Sequence, residues 1–126
     1  MYINYPVGDF LIRIKNMAMR YGREVEVPYN AFIEKLALLL KEERILDKIE
    51  KKDGTLVLTI SYHKKRPILI DLKIISKPGL RVYKTSDQLA KHKGSSVLLV
   101  STSKGILSHR NAIKKRLGGE IICEIW

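Results

Sequence analysis

Five consecutive residues, Ser101-Thr102-Ser103-Lys104-Gly105, bring together three hydroxyls, one ammonium and one position without a Cβ. Hydroxyls rotate to donate or accept, the ammonium is a point charge for phosphate, and glycine lets a partner approach the backbone closely. Such a set suits a polar, anionic ligand. It suits equally well a Ser/Thr turn whose hydroxyls bond only to neighbouring backbone groups. More of the same chemistry lies upstream. Lys77-Pro78-Gly79 sets a cation at a turn, and Arg81 and Tyr83 follow on a returning strand, two residues apart and so on one face. A guanidinium beside an aromatic ring offers a surface to a ribose or a base. A tyrosine at the edge of a core, with its hydroxyl in water, gives the same pattern.

Catalytic groups do not converge in this way. His63, His92 and His109 are scattered through basic segments, none with a second ligand at metal spacing. Cys123, the one cysteine, sits inside an apolar strand pattern and reads as a buried thiol; alone it forms no internal disulfide, which suits a reducing compartment. Asp71, Asp87, Glu120 and Glu124 are the acids of the second half, too dispersed for an acid/base pair. Lys104-Gly105 reverses the order of a phosphate-binding nucleotide loop. The chain reads as a binder without enzymatic activity, cofactor, metal or small-molecule substrate.

Charge suggests what it binds. The net charge is +11 over 126 residues, but residues 1–63 hold 10 Lys/Arg against 9 Asp/Glu and residues 64–126 hold 14 against 4. A half this basic points to a polyanion, since each phosphate neutralised releases counterions and adds affinity. A scaffold whose basic half meets an acidic protein is the alternative. Among nucleic acids, no helix joins a long basic face to groove-reading residues, and the cations and hydroxyls lie on turns and strand ends. That placement favours an irregular RNA read by shape, ribose and unstacked bases. No run approaches the roughly 20 apolar residues of a membrane span, and Met1 to Pro6 lacks a basic region followed by an apolar core. No membrane partner is expected, and a cytoplasmic location is.

The elements that must position these groups follow from period and punctuation. Phe10, Leu11, Ile14, Met17, Ala18 and Tyr21 mark an amphipathic helix over residues 8–21, closed at Gly22, with Arg13, Lys15, Asn16 and Arg20 on its basic side. A strand at Glu24 to Val27 ends at Pro28, and Asn30 caps a second helix to Arg44 with Phe32, Ile33, Leu36, Leu39 and Leu40 inward. Its outer face carries charges of both signs and suits solvent or another protein. Strands at Leu46 to Glu50 and Thr55 to Ser61 flank Asp53-Gly54, a hairpin signal. His63 to Pro67 reads as a linker. A long strand from Ile68 to Ile75, the Pro78-Gly79 turn, a helical turn capped by Ser86, a strand at Val97 to Val100, a helix capped by Ser108 and a strand from Glu120 to Trp126 complete the chain. The expected class is α+β: an N-terminal two-helix, small-sheet subdomain at residues 1–63, and a mostly β subdomain at 64–126 that holds the RNA.

Four blocks identify a resemblance. Val7-Gly8-Asp9-Phe10-Leu11-Ile12-Arg13-Ile14-Lys15-Asn16, Ser76-Lys77-Pro78-Gly79-Leu80-Arg81-Val82-Tyr83, Ser101 to Gly105, and Gly118 to Trp126 occur in the order seen in the bacterial form of the eighth small-subunit ribosomal protein family, which the chain resembles over essentially its whole length. The resemblance implies a primary binder of the central domain of 16S-type rRNA that helps to assemble the platform of the small subunit. It implies RNA contacts from Ser101, Thr102, Ser103, Lys104, Gly105 and Glu120, with Tyr83 beside them. Arg13 and Asn16 become further candidates on the first helix, and the fifth and twelfth small-subunit proteins become neighbours. One departure stands out: the family has an acid, arginine and a second acid where this chain has His109-Arg110-Asn111.

Overall fold

The computed structural model describes residues 5–126; Met1 to Asn4, part of the segment read above for a signal sequence, lie outside it. The chain forms two compact units, Pro6–Ile70, and Asp71–Trp126 together with Tyr5. The class is α+β, as the patterns require.

The first unit contains α1 (Pro6–Met19), β1 (Glu24–Pro28), α2 (Ala31–Glu42), β2 (Leu46–Lys52), β3 (Thr55–Ile60), β4 (Tyr62–His63) and β5 (Arg66–Pro67). Antiparallel strands in the order β1-β3-β2 form its main sheet. Val25 and Val27, then Leu56, Leu58 and Ile60, alternate inward, and both helices pack on this sheet. The Asn30 side chain accepts the Phe32 and Ile33 N–H groups at 2.9 and 3.2 Å, satisfying donors that the helix cannot. Ile33, Leu36, Ala37 and Leu40 form the buried stripe of α2, whereas Phe32, expected inward, lies at its flank and is partly exposed. At the end of α1 the left-handed residue is Tyr21 (φ 57), not Gly22. Gly22 N–H reaches the Met17 carbonyl and Tyr21 N–H that of Ala18, the paired bonds of a Schellman ending, so Tyr21 is turned outward and exposed. Asp53 and Gly54 take φ 45 and 77, the pair of positive angles that a type I′ hairpin needs. The segment read as a linker is a hairpin, in which Tyr62 pairs with Pro67 and His63 with Arg66.

The second unit contains β6 (Leu72–Ile74), β7 (Tyr83–Lys84), α3 (Ser86–Ala90), β8 (Val97–Thr102), β9 (Gly105–Ser108), α4 (His109–Lys114) and β10 (Gly119–Ile125). β10 is the spine. One edge pairs with β8; the other pairs with β6 through Cys123 to Ile125 and with β7 through Gly119 and Glu120. The long strand expected from Ile68 shrinks to three residues, because β10 offers partners only from Leu72 onward, opposite Ile125; Ile70 is 77% exposed. The pairing of β10 with β8 slips between Ile121 and Cys123, so Ile121, Ile122 and Cys123 are buried in succession where strict alternation would place Ile122 outward. Leu89, Leu98, Val100, Ala112 and Ile121 form the core under α3 and α4. Thr85, not Ser86, caps α3: its hydroxyl accepts Gln88 N–H at 3.2 Å while the Gln88 side chain accepts Thr85 N–H at 2.9 Å, a reciprocal box that Ser86 could not close.

Candidate nucleic-acid interface

β8 and β9 are joined by a tight turn at Ser103 and Lys104, with Thr102 opposite Gly105 in register. The positive φ needed to resume pairing falls on Gly105, at 109°, and a Cβ there would meet open space. The Thr102 hydroxyl donates to the Gly105 carbonyl at 2.6 Å and accepts Lys104 N–H at 3.1 Å. The turn reading therefore holds for Thr102. Thr102 is the turn's own internal brace, whereas the Ser101 and Ser103 hydroxyls make no hydrogen bond among the described residues, and Ser103, Lys104 and Gly105 are exposed.

Glu120 lies between Tyr83 of β7 and Ser101 of β8 in direct cross-strand register. Tyr83, Glu120 and Ser101 thus form a row across three strands, drawn from segments far apart in the chain. Arg81 Nη1 donates to Glu120 Oε2 at 3.1 Å. The contact neutralises the carboxylate where a phosphate would otherwise be repelled, and holds a guanidinium with donors to spare two residues before the exposed Tyr83.

Buried groups fix this arrangement from behind. The Ser76 hydroxyl, fully buried, accepts Val82 N–H at 2.9 Å and donates to the Val82 carbonyl at 3.3 Å, and that carbonyl also accepts Ile121 N–H at 2.9 Å. Val82 is thereby locked, and its neighbours Arg81 and Tyr83 are turned outward. Gly79, at φ 83 behind Pro78, makes the turn that starts the segment, with Leu80 N–H donating to the Lys77 carbonyl at 2.9 Å. Tyr5 adds a further support: its ring lies 5.7 Å from the Arg81 guanidinium, and its hydroxyl donates to the Ser76 carbonyl at 2.9 Å. Burial raises the Tyr5 pKa against the opposing pull of Arg81, so the donor keeps its proton.

Gly118 and Gly119 lead into β10 and let it approach its neighbours closely. A Cβ on Gly119 would lie 2.0 Å from the Ser101 carbonyl oxygen, and one on Gly118 2.5 Å from that of Lys84. The row closes because neither residue has one. A depression of about 460 Å³ flanks it, lined by Tyr83, Lys84, Arg116, Gly118 and Gly119 among others.

Of the residues named from sequence, Ser101 to Gly105, Arg81, Tyr83 and Glu120 come together here. Lys77 is exposed at the turn before Arg81. Arg13 and Asn16 belong to α1 in the other unit. There Arg13 is engaged, with Nε 3.1 Å from Asp9 Oδ2 and Nη1 donating to the Glu26 carbonyl at 2.9 Å, and Asn16 is exposed. Sequence reasoning missed Tyr5, Ser76, Lys84 and Arg116. Ser76 alone carried a local signal, as the polar residue ending an apolar run just before a turn.

The family departure at His109 faces inward. His109 is buried, its Nδ1 accepts Leu98 N–H at 3.0 Å, and its ring stands edge-on to His92 at 4.8 Å. Burial is the largest cause lowering its pKa, with the charges of His92 and Arg110 adding to it. The folded state thus prefers neutral His109, so its stabilisation is complete above the ordinary value of 6.5 and is lost as pH falls from there through the depressed folded value. Replacing His109 with asparagine, whose Oδ1 can accept the same N–H, should flatten the fall in thermal stability between pH 7 and pH 5; an unchanged slope would assign it to other groups. A neighbouring relay runs from His92 Nε2, 3.0 Å from Ser96 Oγ, to Glu124, which accepts the Ser96 hydroxyl at 2.6 Å.

Burial also raises the Cys123 thiol pKa, as expected of a structural cysteine. No group of three potential metal ligands occurs among the described residues, and none of their helices is long and apolar enough to cross a membrane.

A basic α+β chain with hydroxyls and an arginine-neutralised carboxylate on a rigid sheet has the make of a structural ribonucleoprotein component. The family model described as ribosomal protein S8 matches residues 5–126. Curated relatives named small ribosomal subunit protein uS8 include one from Nitratidesulfovibrio vulgaris strain DP4, 37% identical over 96% of this chain and 97% of its own length. Another, from Mycoplasmopsis synoviae strain 53, is 36% identical over the whole of both chains. This chain belongs to the ribosomal protein S8 family. It is a non-enzymatic component of the small ribosomal subunit, with rRNA and other ribosomal proteins as its partners.

Proposed function

We propose that the chain is a primary binder of the central domain of 16S-type rRNA and helps to assemble the platform of the small subunit. The observation that carries this reading is the row Tyr83, Glu120, Ser101, backed by Arg81 and continued by the Ser103 hydroxyl. Its acceptors and hydroxyls are set on three paired strands, so they can select a ribose and base edge with little loss of freedom on binding. Lys77, Lys84, Lys104 and Arg116 supply phosphate attraction, which falls as salt rises. Glu120, paired with Arg81, offers a carboxylate oxygen to a base or sugar donor at the centre of the row. The fifth and twelfth small-subunit proteins are the proposed neighbours, with the mixed-charge outer face of α2 as a contact surface.

Hydroxyl-radical footprinting of the isolated chain on deproteinised small-subunit rRNA tests this directly. Protection should appear in the central domain with no other ribosomal protein present, and a Glu120→Lys variant should spread it over unrelated helices. Protection that requires prior binding of another protein would overturn the primary role.

A further inference from the structure

The hairpin of β4 and β5 is built against the preference of its own turn. Its two tip residues, Lys64 and Lys65, both take positive φ, 51° and 66°, in a geometry that favours Asn-Gly or Asp-Gly because a Cβ there is crowded. The same unit shows the ordinary solution at the other hairpin, where Asp53 and Gly54 occupy these positions. At that hairpin the lysines are engaged, Lys51 lying 3.8 Å over the Tyr29 ring and Lys52 3.5 Å from Glu50. By contrast, Lys64, Lys65 and Arg66 are exposed and make no ion pair among the described residues. A strained turn that presents two free ammonium groups is better explained by what it touches than by how it folds.

The tip belongs to a larger surface. The Tyr62 hydroxyl donates to the Gly22 carbonyl at 2.6 Å, and the Tyr62 ring stands 6.5 Å from that of Tyr21. Ile60 N–H donates to the Arg23 carbonyl at 2.7 Å. These contacts tie the hairpin's base to the turn after α1, where Arg20 and Arg23 are exposed and Tyr21, 60% exposed, is a third non-glycine residue held at positive φ. No Asp or Glu occurs from Phe10 to Arg23 or from Gly54 to Ile70; the first acid beyond the turn, Glu24, stands opposite Thr59. Five cations around an exposed aromatic ring suit an RNA backbone, with the ring against a sugar or an unstacked base.

We propose that the β4–β5 hairpin and the turn after α1 form a second RNA-contacting site, in the unit that does not carry the Tyr83–Glu120–Ser101 row. The proposal rests on the reading of the chain as an rRNA binder and gives its first unit a direct share in that binding. The test is the double variant Lys64→Asn, Lys65→Gly, which removes both charges and installs the residues the turn prefers, so thermal stability should hold or rise. Binding is titrated against salt on two RNAs, a central-domain fragment and a short stem containing only the nucleotides protected by the row. On the fragment, affinity should fall about tenfold at low salt and the salt dependence should become shallower by about one to two in log-log slope. The short stem should bind as before, and Tyr21→Ser should lower affinity for the fragment alone.

Unchanged affinity and slope on the fragment would overturn the proposal and leave the patch to an acidic protein surface. Equal loss on both RNAs would overturn it as well, marking a general charge effect. The underlying reading is judged separately with Ser101→Ala, Ser103→Ala on the short stem, whose binding depends on the row and not on the hairpin.

Discussion

Gly119→Ala should destabilise the protein by about 2–3 kcal/mol and largely abolish selective RNA binding. The added Cβ would sit 2.0 Å from the Ser101 carbonyl oxygen, 2.9 Å from its carbon and 3.3 Å from Thr102 Cα. All three are backbone atoms, so no side chain can swing aside. Relief requires β10 and β8 to separate where Glu120 pairs with Ser101, which opens the row at its centre. Gly54→Ala is the matching control. Gly54, unlike Gly119, has positive φ, but a Cβ there meets nothing within 4 Å, so the change should cost about 1 kcal/mol and leave RNA binding intact. Thermal unfolding of both variants, followed by binding below both transitions, measures the two effects. If the two variants behaved alike, the close approach at Gly119 would be irrelevant.

Ser101→Ala with Ser103→Ala should reduce discrimination between a central-domain fragment and an unrelated duplex by about 10- to 100-fold, the size expected when one or two polar partners on the RNA lose their bonds. The salt dependence should be almost unaffected, because no charge is removed. Thr102→Val should act through the fold, since the Thr102 hydroxyl already bonds to Gly105 and Lys104. Its effect should appear in thermal stability and fall evenly on both RNAs. Competition binding at two salt concentrations separates these cases, and an equal loss on both RNAs for the serine pair would show that the hydroxyls do not select the site.

Features governed by neighbours in sequence were readable before the fold was known. Asn30 as a cap, Asp53-Gly54 as a tight hairpin and Pro78-Gly79 as a turn each follow from local chemistry. Errors arose where a distant partner decided. The apolar alternation from Ile68 to Ile75 is a fair strand signal, yet only Leu72 to Ile74 pair with β10 as a strand, with single bonds at Asp71 and Ile75 to either side. The cap of α3 depends on whether Gln88 can bond back, which chooses Thr85 over its equally suitable neighbour. The Tyr83–Glu120–Ser101 row is the extreme case. Arg81 and Tyr83 could be paired by spacing alone, but nothing near Glu120 announces that Ser101 and Tyr83 will flank it, and only the family resemblance supplied that residue. Tyr5 was missed because its role comes from distant contacts with Ser76 and Arg81, and the local sign at Ser76 does not say that its hydroxyl bonds to Val82.

On the proposed reading, the central position of β10 also sets when the protein becomes selective. The β8–β9 hairpin closes over a few residues and can form within microseconds, whereas β10 must find β6 and β7 across tens of residues, a slower, non-local step. Until it inserts, a nascent chain already displays most of its cations and its serine hairpin, and so attracts RNA through charge without the means to choose. Selectivity therefore arrives late and all at once with a single strand. A chain stalled before that point would occupy RNA loosely and dissociate readily in salt, leaving the cognate site to complete molecules.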